Sequence, residues 1–145
     1  MSDFLTLTNL VGGQAPPARG RYLDVYEPAT GRVYARCPDS DADDVAAAVD
    51  AARGAAAGWA ATPAAERARL LTRLADLVEA RLAAFAAAES RDCGKPVALA
   101  RSVDIPRAVS NLRFFAQAIT QWGSEAHAME DSALNYTLRQ PLGVV

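Results

Sequence analysis

Few side chains in this sequence are of a type that could do chemistry unaided: Cys37, Cys93, His127 and Asp92 stand out. The two cysteines form no CxxC pair, and one histidine cannot complete a tetrahedral zinc site with them. Cys93 precedes Gly94-Lys95-Pro96, where a helix should end. The negative end of a helix dipole disfavours a thiolate, so Cys93 reads as a quiet structural thiol rather than a nucleophile. His127 falls in a polar stretch read as loop, where a solvated surface group is the simpler assignment, and Cys37 reads as a core strand residue. Neither GxGxxG nor GxxxxGK[ST] occurs, and Gly12-Gly13 is a turn pair rather than a phosphate cradle. The acidic run Asp39 to Asp44 lacks the ligand order of a calcium loop and opens a helix, so it reads as capping. Asp92 is harder to place. A carboxylate just before a Gly cap opposes its own helix dipole, so either it is simply solvated or something cationic sits opposite.

The elements that must position these residues follow from the pattern. Strands are predicted over 7–37: Leu7 to Val11, ended by Gly12-Gly13, then Tyr22 to Tyr26, a break at Pro28-Ala29-Thr30-Gly31, and Arg32 to Cys37. Leu23 and Val25 share one face, as do Val33 and Ala35, which suggests a small antiparallel meander. Helices are predicted at about 41–58, 62–92 and 96–122. The first starts with Ser40 and Asp43 as a capping box. The second has Thr62 as N-cap, Pro63 at its first position and an apolar stripe of Leu70, Leu74, Leu77, Val78, Leu82 and Phe85. The third carries Ile105, Val109, Leu112, Ala116 and Ile119 on one face, with a break expected near Ser102 to Pro106. After a polar loop, Leu134 to Val145 reads as an extended run with no neighbouring strand in the sequence to pair it.

Composition excludes some partners. The chain has 145 residues with 15 basic and 17 acidic side chains, a formal charge of -2, and 51% apolar residues. No basic cluster offers a footprint for nucleic acid or anionic lipid. No stretch approaches the roughly 18 apolar residues of a membrane span, and the first ten residues have no secretory pattern, so a cytoplasmic protein is expected. The single lysine among 14 arginines, Lys95, fits the Arg- and Ala-rich coding of the whole chain. A chain of this length can bury about two-thirds of its unfolded surface, so independent folding is compatible with it.

Taken in order, Leu10-Val11-Gly12-Gly13, Glu27-Pro28-Ala29-Thr30-Gly31, Trp59, the TPAAER of residues 62–67, and Glu89-Ser90-Arg91-Asp92-Cys93-Gly94-Lys95-Pro96 resemble the N-terminal portion of the NAD(P)-dependent aldehyde dehydrogenases. Val103-Asp104-Ile105-Pro106-Arg107, Tyr136-Thr137 and Pro141 to Val145 continue the resemblance, which runs from about Asn9 to the last residue. Within the family, residues 101–117 and 135–145 look most like the 2-hydroxymuconic and 2-aminomuconic semialdehyde dehydrogenases of aromatic catabolism. Two departures stand out: Glu27 where many relatives have Asn, and Cys93 where many have Thr.

The resemblance implies an α/β aldehyde dehydrogenase-like fold, with residues 1–133 the N-terminal part of a cofactor-binding domain and residues 134–145 the start of an oligomerisation arm. It implies a reaction in which a cysteine thiolate attacks an aldehyde, hydride passes to NAD, and water hydrolyses the thioester to a carboxylate. The substrate implied is a small semialdehyde, such as 2-hydroxymuconic semialdehyde, and the partner a second copy of the chain. The family's nucleophilic cysteine, glutamate base, oxyanion asparagine and cofactor lysine match no position here, so no catalytic or cofactor-binding residue is assigned and the 145-residue chain alone is expected to be inactive. One family feature does land on this segment: a structural sodium or potassium ion held by two backbone carbonyls and an aspartate, at Val25, Tyr26 and Asp92. Oxygen ligands suit such a hard cation, and it would give Asp92 its missing partner. The rival reading, from another class, is a non-catalytic helical fragment or an interaction module.

Overall fold

The first strands build a small mixed sheet. The computed structural model describes residues 4–16 and 20–145, with Leu5–Thr6 (β1), Tyr22–Glu27 (β2) and Arg32–Pro38 (β3) in the order β1-β3-β2. β2 and β3 form an antiparallel hairpin closed by Pro28-Ala29-Thr30-Gly31. There the Glu27 carbonyl accepts the N–H groups of Thr30 (3.2 Å) and Gly31 (2.8 Å), and Gly31 takes the φ of 66° that closing the turn requires. β1 runs parallel to β3, with Leu5 opposite Ala35. The sheet is therefore not the antiparallel meander that the spacing suggests. Gly12 and Gly13, at φ 58° and 78°, close a local turn in which Val11 and Gln14 exchange backbone hydrogen bonds of 2.8 and 3.0 Å. That reversal is spent within four residues, so the strand expected at 7–11 gives way to Leu5–Thr6, which takes the edge of β3 that β2 leaves free.

One irregularity in the hairpin shapes everything near it. Val25 lies opposite Ala35, but Tyr26 lies opposite Val33, so Tyr34 is an extra residue, a β-bulge, on β3. The bulge breaks the alternation that would place Val33 and Ala35 on the covered face: the two buried residues of β3 are the consecutive pair Tyr34 and Ala35.

Four helical segments follow. The first, Ala42–Ala61 (α1), starts one residue later than expected: Asp41 accepts from the N–H groups of Asp43 and Asp44, and Asp44 accepts from Asp41 N–H, a reciprocal capping box. Ser40 instead accepts a hydrogen bond from the Asn9 amide (2.8 Å). Thr62, expected to start the second helix, ends the first, and Pro63 caps Ala64–Ala80 (α2). The long helix expected to 92 is divided at Arg81, whose φ of -113° and ψ of 20° lie outside the helical well, and resumes as Leu82–Cys93 (α3). Nothing local to Arg81 in the sequence marks that break.

Val97–Leu99 (α4), a π turn at Ala100–Asp104 and Ile105–Gln121 (α5) form one continuous rod instead of two broken pieces. In the π turn Ile105 N–H donates to Ala100 O, so the ladder widens by one residue just before Pro106, which has no N–H to give. α5 packs along α2. Val109 and Ala116 are buried and Leu112 and Ile119 half-buried, as the period predicts. On α2 and α3 the covered stripe is Leu71, Ala75, Val78, Leu82 and Ala86, whereas Leu70, Leu74 and Leu77 of the expected stripe are exposed. The two helices are apolar on more than one side, and α5 covers only one of them. Arg113 fastens the pair from the rim, donating to Asp76 (2.8 Å) and Glu79 (2.6 Å), which hold its guanidinium well above its usual pKa.

The polar stretch after α5 contains a strand. Ala126–Met129 (β4) pairs antiparallel with Ala133–Tyr136 (β5) across a three-residue loop, and Ser132 N–H donates to Met129 O (3.2 Å). The extended segment therefore has a partner, and the two Ala residues of β4 hid it by lowering its strand propensity. The hairpin packs on no other element among the described residues. Beyond it the chain returns: Arg139 lies 4.8 Å over the Trp122 ring, and residues 139–143 line a groove with Trp59 and Arg67.

The surface is large for the mass. The chain exposes 11098 Å², whereas a compact monomer of 15.3 kDa exposes about 7100 Å². Large apolar side chains contribute to that surface: Trp59, Leu70, Leu74, Leu77, Phe114, Phe115 and Trp122 are all more than a third exposed.

Candidate functional site

The end of α3 meets the β2–β3 hairpin, and there Asp92 comes to the sheet. α3 ends at Cys93 because Gly94 adopts the left-handed φ of 73° and donates its N–H to Ser90 O (2.9 Å). A Cβ at Gly94 would stand 2.9 Å from Pro28 Cβ, so the helix end is pressed onto the Pro-Ala-Thr-Gly turn. This close approach is what carries Asp92 to the sheet.

Asp92 is exposed, yet it is not merely solvated. The Tyr34 hydroxyl donates to Asp92 Oδ1 at 2.7 Å, linking residues 58 apart in the chain. That hydrogen bond, together with burial, pushes the Tyr34 phenol up to about 12. Arg91 lies 4.4 Å over the same ring and faces Glu27 at 3.9 Å. Lys95 donates to Glu89 Oε1 and Asp104 Oδ2, both at 2.9 Å, and these hydrogen bonds hold its ammonium well above the usual lysine pKa. Both nearby cationic side chains are thus engaged elsewhere, and among the described residues Asp92 forms no ion pair.

The bulge at Tyr34 falls across from Val25 and Tyr26, the two residues whose carbonyls the family resemblance implies as ligands. A bulge interrupts the ladder where it occurs, so strand pairing is irregular opposite Val25 and Tyr26. Among the described residues no group of three His, Cys, Asp or Glu side chains is placed to hold a metal ion.

The remaining candidates behave as surface or structural groups. The Cys93 thiol donates to Glu89 Oε1 at 3.6 Å, and desolvation and the Glu89 charge raise its pKa, the opposite of what a nucleophile needs. Cys37 lies half-buried on β3 as a free thiol. His127 sits on β4 rather than in a loop, 3.5 Å from Glu125, with its side chain 68% exposed. Tyr34 and Arg91 were not anticipated as site residues. Only the bulge brings Tyr34 to the helix end, and no local pattern marks a bulge.

The sequence pattern of the aldehyde dehydrogenase family matches residues 15–145. The chain belongs to that family. It is 48% identical over 141 residues to the 2-aminomuconic semialdehyde dehydrogenase of Bos taurus and 46% identical over 141 residues to that of Homo sapiens, in each case across 97% of this chain and 29% of the relative. Among solved structures it superposes on a mutant of the indole-3-acetaldehyde dehydrogenase of P. syringae in complex with NAD+, with a TM-score of 0.86 and 31% identity over 92% of this chain and 28% of that one. The chain therefore spans under a third of the length of these relatives. The mixed helix-and-strand architecture is that of the N-terminal portion of the aldehyde dehydrogenase fold. No helix among the described residues is long and apolar enough to cross a membrane.

Proposed function

We propose that this chain is the N-terminal part of a cytoplasmic, NAD-dependent dehydrogenase that oxidises a muconic-type semialdehyde to its carboxylate and assembles through residues 134–145. The identity to 2-aminomuconic semialdehyde dehydrogenases, sustained over 97% of the chain, carries the reading. When bound, NAD supplies the hydride acceptor. Among the described residues no glycine-rich strand–turn–helix is available as a phosphate cradle, so no residue of this chain is assigned to it. What these residues supply is a scaffold: a sheet and helix pair with large uncovered apolar faces, ready to receive the rest of a larger body. That excess surface disfavours the rival reading of a free-standing interaction module, which would have to keep those faces in water.

Within the scaffold, the Val25 and Tyr26 carbonyls with Asp92 hold a structural sodium or potassium ion, which ties α3 to the hairpin. NADH formation tests the activity. The full-length protein should turn over 2-aminomuconic or 2-hydroxymuconic semialdehyde with NAD, and the 145-residue chain alone should not. Failure of the full-length protein on both semialdehydes refutes the substrate assignment; turnover by residues 1–145 refutes the scaffold role and reopens Cys93.

A further inference from the structure

We propose, resting on the reading of this chain as a scaffold for a larger body, that the groove between the start of α2 and the end of α5 receives a carboxylate from the protein beyond residue 145. Arg67 and Arg139 bind it. The groove has a volume of about 470 Å³, and its lining is apolar, with Leu71, Phe115, Ile119 and Trp122 in it, apart from those two arginines. The same arginines line the adjoining space between Trp59 and residues 140–143. Among the described residues that line the two spaces, none is acidic.

Both arginines are unmatched. Elsewhere on the same helix pair Arg113 has two carboxylates, Asp76 and Glu79, and Arg69 has Glu66, so the acids nearest to the groove are taken. Among the described residues Arg67 donates only to the Thr62 carbonyl (2.6 Å), Arg139 lies over the Trp122 ring, and neither forms an ion pair. Water satisfies the two guanidinium groups while the groove is open. Covering it changes the balance, because a carbonyl and an aromatic face leave a desolvated guanidinium charge uncompensated. The groove is of the kind that gets covered: Phe115 and Trp122 are 61% and 69% exposed, and this chain spans only 29% of the relatives it matches. A surface that closes over Phe115 and Trp122 also closes over Arg67 and Arg139. It must therefore bring the opposite charge, and a carboxylate fits the planar fork of an arginine in a bidentate pair.

Two measurements on the full-length protein separate covering from charge. Hydroxyl-radical footprinting reads the covering: Phe115 and Trp122 should lose most of the oxidation they show in residues 1–145. Urea unfolding at two pH values reads the charge. The double variant Arg67→Met, Arg139→Met strands the buried carboxylate, whose pKa then rises above its unfolded value of about 4. That variant should unfold more easily than wild type at pH 7, and the gap should fall by about half at pH 5, where the stranded acid takes up a proton on folding. Arg67→Lys keeps the charge, so any gap it shows should be the same at both pH values. A gap in the double variant that is independent of pH refutes the carboxylate, as does a gap in Arg67→Lys that narrows equally. Equal oxidation of Phe115 and Trp122 in the two proteins refutes the covering, and with it the scaffold reading of this face. Protection combined with a pH-independent gap leaves the scaffold reading standing and removes only the acid. Should the double variant fail to fold, Arg139→Met alone, at an exposed side chain, decides by the same narrowing of its gap.

Discussion

Replacing Gly94 by alanine tests whether the end of α3 is seated on the hairpin as closely as the structure has it. Two separate costs are expected. The first is conformational: Gly94 has a φ of 73°, and a residue with a Cβ in the left-handed region costs roughly 1–2 kcal/mol. The second is steric. The new Cβ would lie 2.9 Å from Pro28 Cβ and 3.4 Å from Pro28 Cγ, inside the ~3.5–4.0 Å optimum for carbon pairs. Pro28 belongs to a ring that cannot swing aside, so the helix end or the turn must move, which costs about 1–3 kcal/mol as overpacking does. Gly94→Ala should therefore lose about 2–5 kcal/mol. Gly31→Ala is the internal control, because Gly31 has nearly the same φ, 66°, with nothing within 4 Å of the added atom. It should lose only the conformational part, about 1–2 kcal/mol. Urea unfolding of the full chain, with the slope compared between variants, reads both numbers. Equal losses for the two variants would refute the close approach of Pro28, and with it the argument that this contact brings Asp92 to the sheet.

Three further outcomes follow from the same structure. Asp41→Ala should cost about 1 kcal/mol in urea unfolding by removing the capping box of α1, and Ser40→Ala should cost less than half of that, since Ser40 only accepts from Asn9; the reverse order would restore Ser40 as the cap. Lys95→Met should destabilise the chain at pH 7 by stranding Glu89 and Asp104. Because the folded state holds the Lys95 proton more tightly than the unfolded chain, the stabilisation is complete below the ordinary lysine value of 10.5 and fades above it, so the gap from wild type should narrow in unfolding measured at pH 11; a gap independent of pH would rule out the ion pairs as its source. Finally, light scattering should show less self-association of residues 1–133 than of the 145-residue chain, because Leu134, Tyr136 and Leu138 are exposed on or beyond an uncovered hairpin; equal scattering would remove the arm as an association surface.

The sequence by itself determined the family, the β2–β3 hairpin and the helical region that follows it. Those are carried by signals that lie side by side in the chain: the Pro-Ala-Thr-Gly turn, the Gly94 cap, and the period of Val109, Leu112, Ala116 and Ile119. The tertiary structure decided how those pieces meet. The bulge at Tyr34 exists because β2 and β3 pair out of register by one residue, which no single strand encodes. Which face of α2 is core depends on where α5 lies, so Ala75 is buried while Leu74 beside it is not. The helix at Pro106 continues through a π turn that Lys95 helps to hold by pairing with Asp104. Asp92, read alone, left two alternatives open. The partner it has, Tyr34, is 58 residues away, and only long-range packing brings a phenol to a helix end.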